Sequence, residues 1–256
     1  MRKFLLVSSL IVLALVSWKC AATVNTAAMN DKDRFDYAMK IFKNEDYEMA
    51  MKEFEAIILQ YPGSEVVDDA QFYLGQCHFQ RKEYLLGAYE FSKLIKNMAS
   101  SPFVPESQYM LASCYYELSP AYPLDQKYTK KAIEELQAFI DFFPADQRVP
   151  PAEKKIKDLY QKLAEKEFHN ATIYERMEYY SAAILACTKV IETYHDTKFA
   201  PMASYKKIKL LLIKKRTIEA NTEISSFLSK YPNDENFAEI KALKESLESN
   251  KPAVKG

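Results

Sequence analysis

The sequence predicts an all-α protein, an α-solenoid of about five helix pairs, and three observations lead there. The first is repetition. An Ala stands twelve residues before a Pro at Ala50 and Pro62, Ala132 and Pro144, and Ala220 and Pro232. Ala183 and His195 keep the same interval, and an aromatic precedes each of these marks at Tyr61, Phe143, Tyr194 and Tyr231. A further unit around Tyr84, Gly87, Ala88 and Phe91 follows Tyr47, Ala50 and Phe54 at a shift of 37 residues, which makes five. The second observation is the scarcity of glycine, 4 in 256 residues. β-proteins, phosphate loops and dinucleotide folds need Gly where the backbone turns left-handed or approaches a ligand. The third is a content of 48% hydrophobic residues with 18 Tyr and 15 Phe, enough to build a core.

The elements follow in chain order. Arg2 and Lys3 precede an apolar run from Phe4 to Val16, too short to span about 30 Å of hydrocarbon at about 1.5 Å per residue. It reads as an export signal over residues 1–19. Cys20 follows where a lipoprotein signal places the acylated cysteine, although Lys19 is larger than the small residue such processing favours. Ordinary cleavage near Ala22 or Ala28, or a signal left uncleaved, are the alternatives. Residues 20–30 form a small, polar tether, residues 31–149 the first three repeats, and residues 150–250 a long linking helix, repeats four and five and a capping helix. Residues 251–256 are a tail.

Each unit carries a small residue in its first helix (Ala38, Gly75, Ala112, Ala171), an aromatic turn such as Asp46-Tyr47 or Glu83-Tyr84, and a second amphipathic helix. Small residues let two antiparallel helices approach closely. The pattern resembles the tetratricopeptide repeat, whose small residue, turn Tyr, Ala, aromatic and terminal Pro match Ala38, Tyr47, Ala50, Phe54 and Pro62. Two features interrupt the array. An insertion from Ser119 to Tyr128 parts the helices of the third unit and reads as an exposed loop, with its second helix restarting near Thr129. After Pro150-Pro151, residues 152–178 read as one long helix whose charges, Glu153-Lys154-Lys155 through Glu165-Lys166-Glu167, form a solvated face. Residues 236–250 form the final polar helix.

The export signal ending in Cys, the five units, and the segments Ser119-Pro120, Leu124-Asp125-Gln126-Lys127-Tyr128-Thr129 and Ala132-Ile133-Glu134-Glu135-Leu136-Gln137-Ala138-Phe139-Ile140 together resemble the BamD family of outer-membrane assembly lipoproteins. The resemblance is to the forms found in Bacteroidetes-type bacteria and runs over about residues 31 to 249. The resemblance implies a non-catalytic scaffold and substrate receptor of the β-barrel assembly machine, lipid-anchored in the outer membrane and facing the periplasm. Its partners would be a BamA-like barrel protein, bound through the C-terminal half, other lipoproteins of the machine, and unfolded barrel substrates, met by the N-terminal half. No individual BamA-contact residue carries over, because the position where some relatives place a basic residue is Ala186. Another cell-envelope tetratricopeptide lipoprotein, for cell-wall coordination or nutrient capture, is the alternative.

The residues themselves offer a candidate surface. On the first helices a shift of 37 superposes Phe35, Phe72 and Tyr109, and likewise Phe42, Phe79 and Tyr116. These two columns either line a groove for an extended or aromatic-ended peptide, with Gln76, Gln80 and Ser113 as hydrogen-bonding groups, or pack helix against helix. Cys77, Cys114 and Cys187 read as small core residues, and none has metal-ligand spacing. His78, His169 and His195 are scattered, and no nucleophile or zinc motif occurs, so the sequence offers no catalytic residue, metal site or cofactor. With 35 basic and 35 acidic side chains there is no field for nucleic acid.

Overall fold

A computed structural model describes residues 25–249, which leaves the export signal, Cys20 and the tail outside the described residues. The packing divides into two compact units, up to Val67 and from Asp68 onward. The first holds α1 (Asp31–Lys43) and α2 (Tyr47–Gln60). Asn30 caps α1 by accepting from Asp33 N at 2.9 Å, and Asp46 caps α2 by accepting from Met49 N at 3.2 Å. The end of the predicted tether is fastened here, since the Tyr61 hydroxyl donates to Met29 O at 2.8 Å. The second unit is built from α3 (Val67–Gln80), α4 (Tyr84–Asn97), α5 (Val104–Glu117), α6 (Lys127–Phe142), α7 (Val149–Arg176), α8 (Tyr180–Thr193), α9 (Phe199–Ile213), α10 (Thr217–Lys230) and α11 (Phe237–Ser249). From α4 onward each helix packs on the next, and α7 also meets α9.

One pattern buries every second helix. Ala50, Phe54 and Ile57 on α2 stand at i, i+4 and i+7, one face of a helix, and are fully buried. The same spacing gives Gly87, Phe91 and Leu94 on α4, Ala132, Leu136 and Phe139 on α6, Ala183, Cys187 and Val190 on α8, and Ala220, Ile224 and Phe227 on α10, all buried. Each fully buried side chain of this kind contributes about 1.5–3 kcal/mol. The three cysteines are buried and unbridged, with thiols pushed up to about 12 by burial. The first helices supply the complementary surface through Ala38, Gly75, Ala112 and Ala171. The fit is tightest at Gly75, where an added Cβ would lie 2.7 Å from the Phe91 ring.

A carboxylate at one repeated position, buried at Glu53 and Glu223 and half-buried at Glu90 and Glu135, ties the two helices of these pairs together. Glu53, three residues past the small Ala50, pairs with Arg34 of α1 at 2.7 Å. One repeat on, Glu90 accepts from Gln71 at 2.6 Å, and Glu135 accepts from Gln108 at 2.8 Å. On α10, Glu223 holds Ser204 and, at 2.9 Å, Lys207. Only α8 lacks this clasp, because its corresponding residue is Ala186.

The turns between paired helices share one geometry, and glycine plays no part in it. Glu45, Lys82, Glu178 and Lys215 all take positive φ, between 57° and 63°. Lys215 N donates to Leu212 O and Arg216 N to Leu211 O, both at 2.9 Å, and the other three turns repeat this pair of bonds. This is the Schellman ending, in which a left-handed residue lets two amides satisfy the last carbonyls of the helix. The low glycine count therefore did not mean that left-handed turns were absent. Non-glycine residues occupy them, at about 1–2 kcal/mol each.

The long helix and the insertion differ in detail from the expectation. Val149, not Ala152, begins the long helix, since prolines at its first positions cost no hydrogen bond. The insertion is built from within. Gln126 is buried, and its Nε2 donates to Ala121 O, Tyr122 O and Leu124 O at 2.9, 3.3 and 3.0 Å, while its Oε1 accepts from Thr129 at 2.6 Å. The loop is exposed as expected, with Ala121, Pro123, Leu124, Asp125 and Lys127 at the surface, and it is wound around this one buried amide.

Two substitutions test this packing. Gly75→Ala should gain about 1 kcal/mol of helix propensity and lose more to overpacking against Phe91, for a net loss of about 1–2 kcal/mol in denaturant unfolding. Lys215→Gly should move the other way. Relief of the left-handed backbone outweighs the added chain entropy, and the melting temperature should rise by about 1–2 °C.

Candidate functional site

The aromatic columns divide once their burial is known. In the first unit Phe35 and Phe42 are half-buried and flank the core ring Phe54 at centroid distances of 5.9 and 6.5 Å, with Phe42 also edge-on to Tyr47. Phe72 is 4% exposed, stacked on Phe103 at 4.7 Å and tilted against Phe91 at 5.8 Å. It belongs to the core, so its place on a groove surface is corrected. The reason is Phe103, which precedes α5 and lies over Phe72. At the matching place before α7 stands Arg148, 5.9 Å from the Tyr109 ring. A cation there leaves Tyr109 half-buried rather than sealed. Phe79 is half-buried and packs edge-on to Tyr84 at 5.4 Å. Gln76 is half-buried and Gln80 exposed.

The structure draws Tyr109, Ser113 and Tyr116 together, at i, i+4 and i+7 on α5, and adds a residue the sequence reading had assigned to a solvated face. Lys155 of α7 lies between the two rings, 5.2 Å from the Tyr109 centroid and 4.7 Å from that of Tyr116, and donates to Ser113 Oγ at 3.0 Å. Seven and eleven residues on, Lys162 donates to Ser119 Oγ at 2.7 Å and Lys166 to Leu124 O at 2.6 Å. These three cations share one helix face, and among the described residues none forms an ion pair. Their partners are neutral oxygens. Burial lowers the pKa of Lys155 against the weaker opposing pull of Glu117, and burial lowers that of Lys162 as well. The spacing of 155, 162 and 166 on the side that carries Leu159 and Leu163 was the available signal. Arg148, by contrast, is satisfied. Asp146 bonds it at 2.7 Å, raising its pKa and drawing the Asp146 carboxyl down to about 2.

A desolvated ammonium between aromatic rings, in no ion pair among the described residues, can hold the carboxylate of a ligand whose aromatic side chain stacks beside it. Among the described residues no group of His, Cys, Asp and Glu is placed to hold a metal ion, and no helix is long and apolar enough to cross a membrane.

Helix pairs of this kind, with small residues at the crossing and Schellman turns between, define a tetratricopeptide-type repeat protein, a class whose surfaces bind other polypeptides. The profile of the family described as YfiO, outer membrane lipoprotein, matches residues 27–206, and the chain belongs to that family, which is the BamD family. Among solved structures it is similar to a tetratricopeptide repeat protein of Bacteroides fragilis, at 13% identity, covering 86% of this chain and 98% of the other with a TM-score of 0.48. A thermophilic protein of the same class from Thermus thermophilus is 15% identical, with 86% and 100% covered and a TM-score of 0.36. No curated protein sequence matches the chain.

The assignments separate under mutation. Phe72→Ala should cost about 3–5 kcal/mol in denaturant unfolding, whereas Tyr116→Ala should cost under about 2 kcal/mol because its ring is already partly in water. Lys155 supplies a pH test. Between its lowered folded pKa and the unfolded value near 10.5, only the unfolded chain holds the proton, so this residue makes stability rise with pH in that window. Unfolding of Lys155→Met compared with the parent from pH 8 to pH 10 should show the parent gaining relative to the variant.

Proposed function

We propose that this protein is a non-catalytic scaffold and substrate receptor of the outer-membrane β-barrel assembly machine, anchored by a lipid on Cys20 and facing the periplasm. Membership of an outer membrane lipoprotein family supports the setting. The observation that carries the receptor role is Lys155, desolvated between Tyr109 and Tyr116 without a carboxylate of its own. An aromatic-ended segment of an unfolded barrel protein offers both halves of the complement, a ring for Tyr109 and Tyr116 and a terminal carboxylate for Lys155. Gln76, Phe79 and Gln80 on α3 extend this reading toward the N-terminus, and Phe35 and Phe42 form a candidate surface of the first unit by itself. The C-terminal half, residues 150–250, docks a BamA-like barrel protein and further lipoproteins of the machine. Ile173, Met177 and Tyr179 near the α7–α8 turn and Ile213 and Ile218 near the α9–α10 turn are exposed apolar residues suited to that contact.

Two experiments test the proposal. Pull-down from detergent-solubilised outer membrane should recover a large barrel protein. Recovery of peptidoglycan factors instead would move the protein to another envelope role. A photo-crosslinking peptide ending in Phe with a free carboxylate should label the parent and lose at least tenfold in labelling on Lys155→Glu, and amidation of its C-terminus should have the same effect. Undiminished labelling of the variant would remove the receptor site. The anchor is tested separately: Cys20→Ala should move the protein from the membrane to the soluble fraction, since stable attachment depends on the acyl chains at about 0.8 kcal/mol per buried CH₂.

A further inference from the structure

The insertion in the third repeat does more than lengthen a turn. It carries Asp125 to Tyr128 up beside Leu85 of α4, where Tyr128 stacks on Tyr115 with centroids 6.1 Å apart and planes 13° from parallel. A cleft of about 680 Å³ opens there, walled by Leu85, Tyr115, Tyr128, Lys127, Lys130 and Glu134. A second hollow of about 350 Å³ shares Tyr115 and Lys131 with the first and continues past Ile95, Lys96, Gln108 and Glu135. The two form one groove, with α4 and α6 as walls and α5 as floor. From Leu85 to Lys96 it runs about 16 Å along α4, the length of about five extended residues. Its floor residues Gln108, Leu111 and Tyr115 lie roughly 130° around α5 from Tyr109, Ser113 and Tyr116, so this is a different face.

The charges along the groove are unbalanced. Lys131 is held by Glu134 and Glu135 at 3.3 and 2.9 Å. Lys96, Lys127 and Lys130 form no ion pair among the described residues, and all three are exposed. Asp125 is turned to its own backbone, accepting from Lys127 N at 2.9 Å. At the insertion end the groove is aromatic and apolar, with Leu85 and its neighbour Leu86 each 52% exposed.

We propose that this groove docks an acidic, extended segment of a partner protein, which lays an aromatic or leucine side chain on Tyr115, Tyr128 and Leu85 and its carboxylates along Lys127, Lys130 and Lys96. The assignment is independent of the Lys155 site. Rigidity of the insertion around Gln126 keeps the apolar end formed before the partner arrives, which lowers the ordering cost of binding. The test is selection of a phage-displayed random dodecamer library on the full chain. Acid-rich sequences with one aromatic or Leu should emerge. A synthetic peptide of that consensus should bind at least tenfold more weakly to the double variant Lys127→Glu, Lys130→Glu, whose far-ultraviolet circular dichroism should match the parent, and equally well to Lys155→Glu. A basic or charge-free consensus, or affinity unchanged in the double variant, overturns the proposal. So does loss of binding to phosphatidylglycerol vesicles on Lys127→Glu, Lys130→Glu without loss of peptide binding, which would assign the cations to lipid headgroups.

Discussion

Everything in this molecule depends on how closely two helices can approach at one small residue. At Gly75 the space left for a Cβ is already filled by the Phe91 ring, and Ala38 and Ala112 mark the same crossing in the neighbouring repeats. Close approach is what lets a second helix bury three residues of one face completely, and it is why a chain with 4 glycines can spend two of them, Gly75 and Gly87, inside helices. Once the crossing is set, the aromatic of each second helix has a single place to go.

Apolar contact fixes distance but not register, and the repeated carboxylates supply the direction. Glu53, Glu90, Glu135 and Glu223 each reach back to a polar residue one helix earlier, although the partner changes from Arg34 to Gln71 to Gln108 to Ser204. At Glu53 and Glu223, which are buried, breaking the bond strands a charge away from water, so the cost of a slipped register is high there even where the net worth of the pair is modest. The candidate surfaces rest on this order. Tyr109, Ser113 and Tyr116 face Lys155 only because α5 cannot rotate about its own axis.

Much of the fold was legible because it repeats. The interval from Ala50 to Pro62 recurs, and the burial of i, i+4 and i+7 in each second helix follows from it. The insertion and the long helix were visible as the places where the pattern stops. What escaped was set by contacts between residues at unlike positions. Phe72 is aligned with Phe35 and Tyr109 by spacing, but Phe103 from the following connection covers it, whereas Arg148 at the matching place leaves Tyr109 accessible. Lys155 sat in a run of charges, and a run of charges on a helix is ordinarily a solvated face. Only the position of α5 shows that this one points at rings. The left-handed turns escaped because Glu and Lys stand where glycine would have announced them.

The fourth repeat lacks the carboxylate clasp, and this has a mechanical consequence. With Ala186 in place of Glu, α8 is held to α7 by a broad apolar core around Ala164, Ala171, Ala183 and Cys187 and by the surface pair Lys189 and Glu167. Such contact resists being pulled apart far more than it resists sliding, because apolar surfaces have no preferred direction. Of the helix pairs that share this position, α7 and α8 are thus the pair that could slide without breaking a buried polar bond.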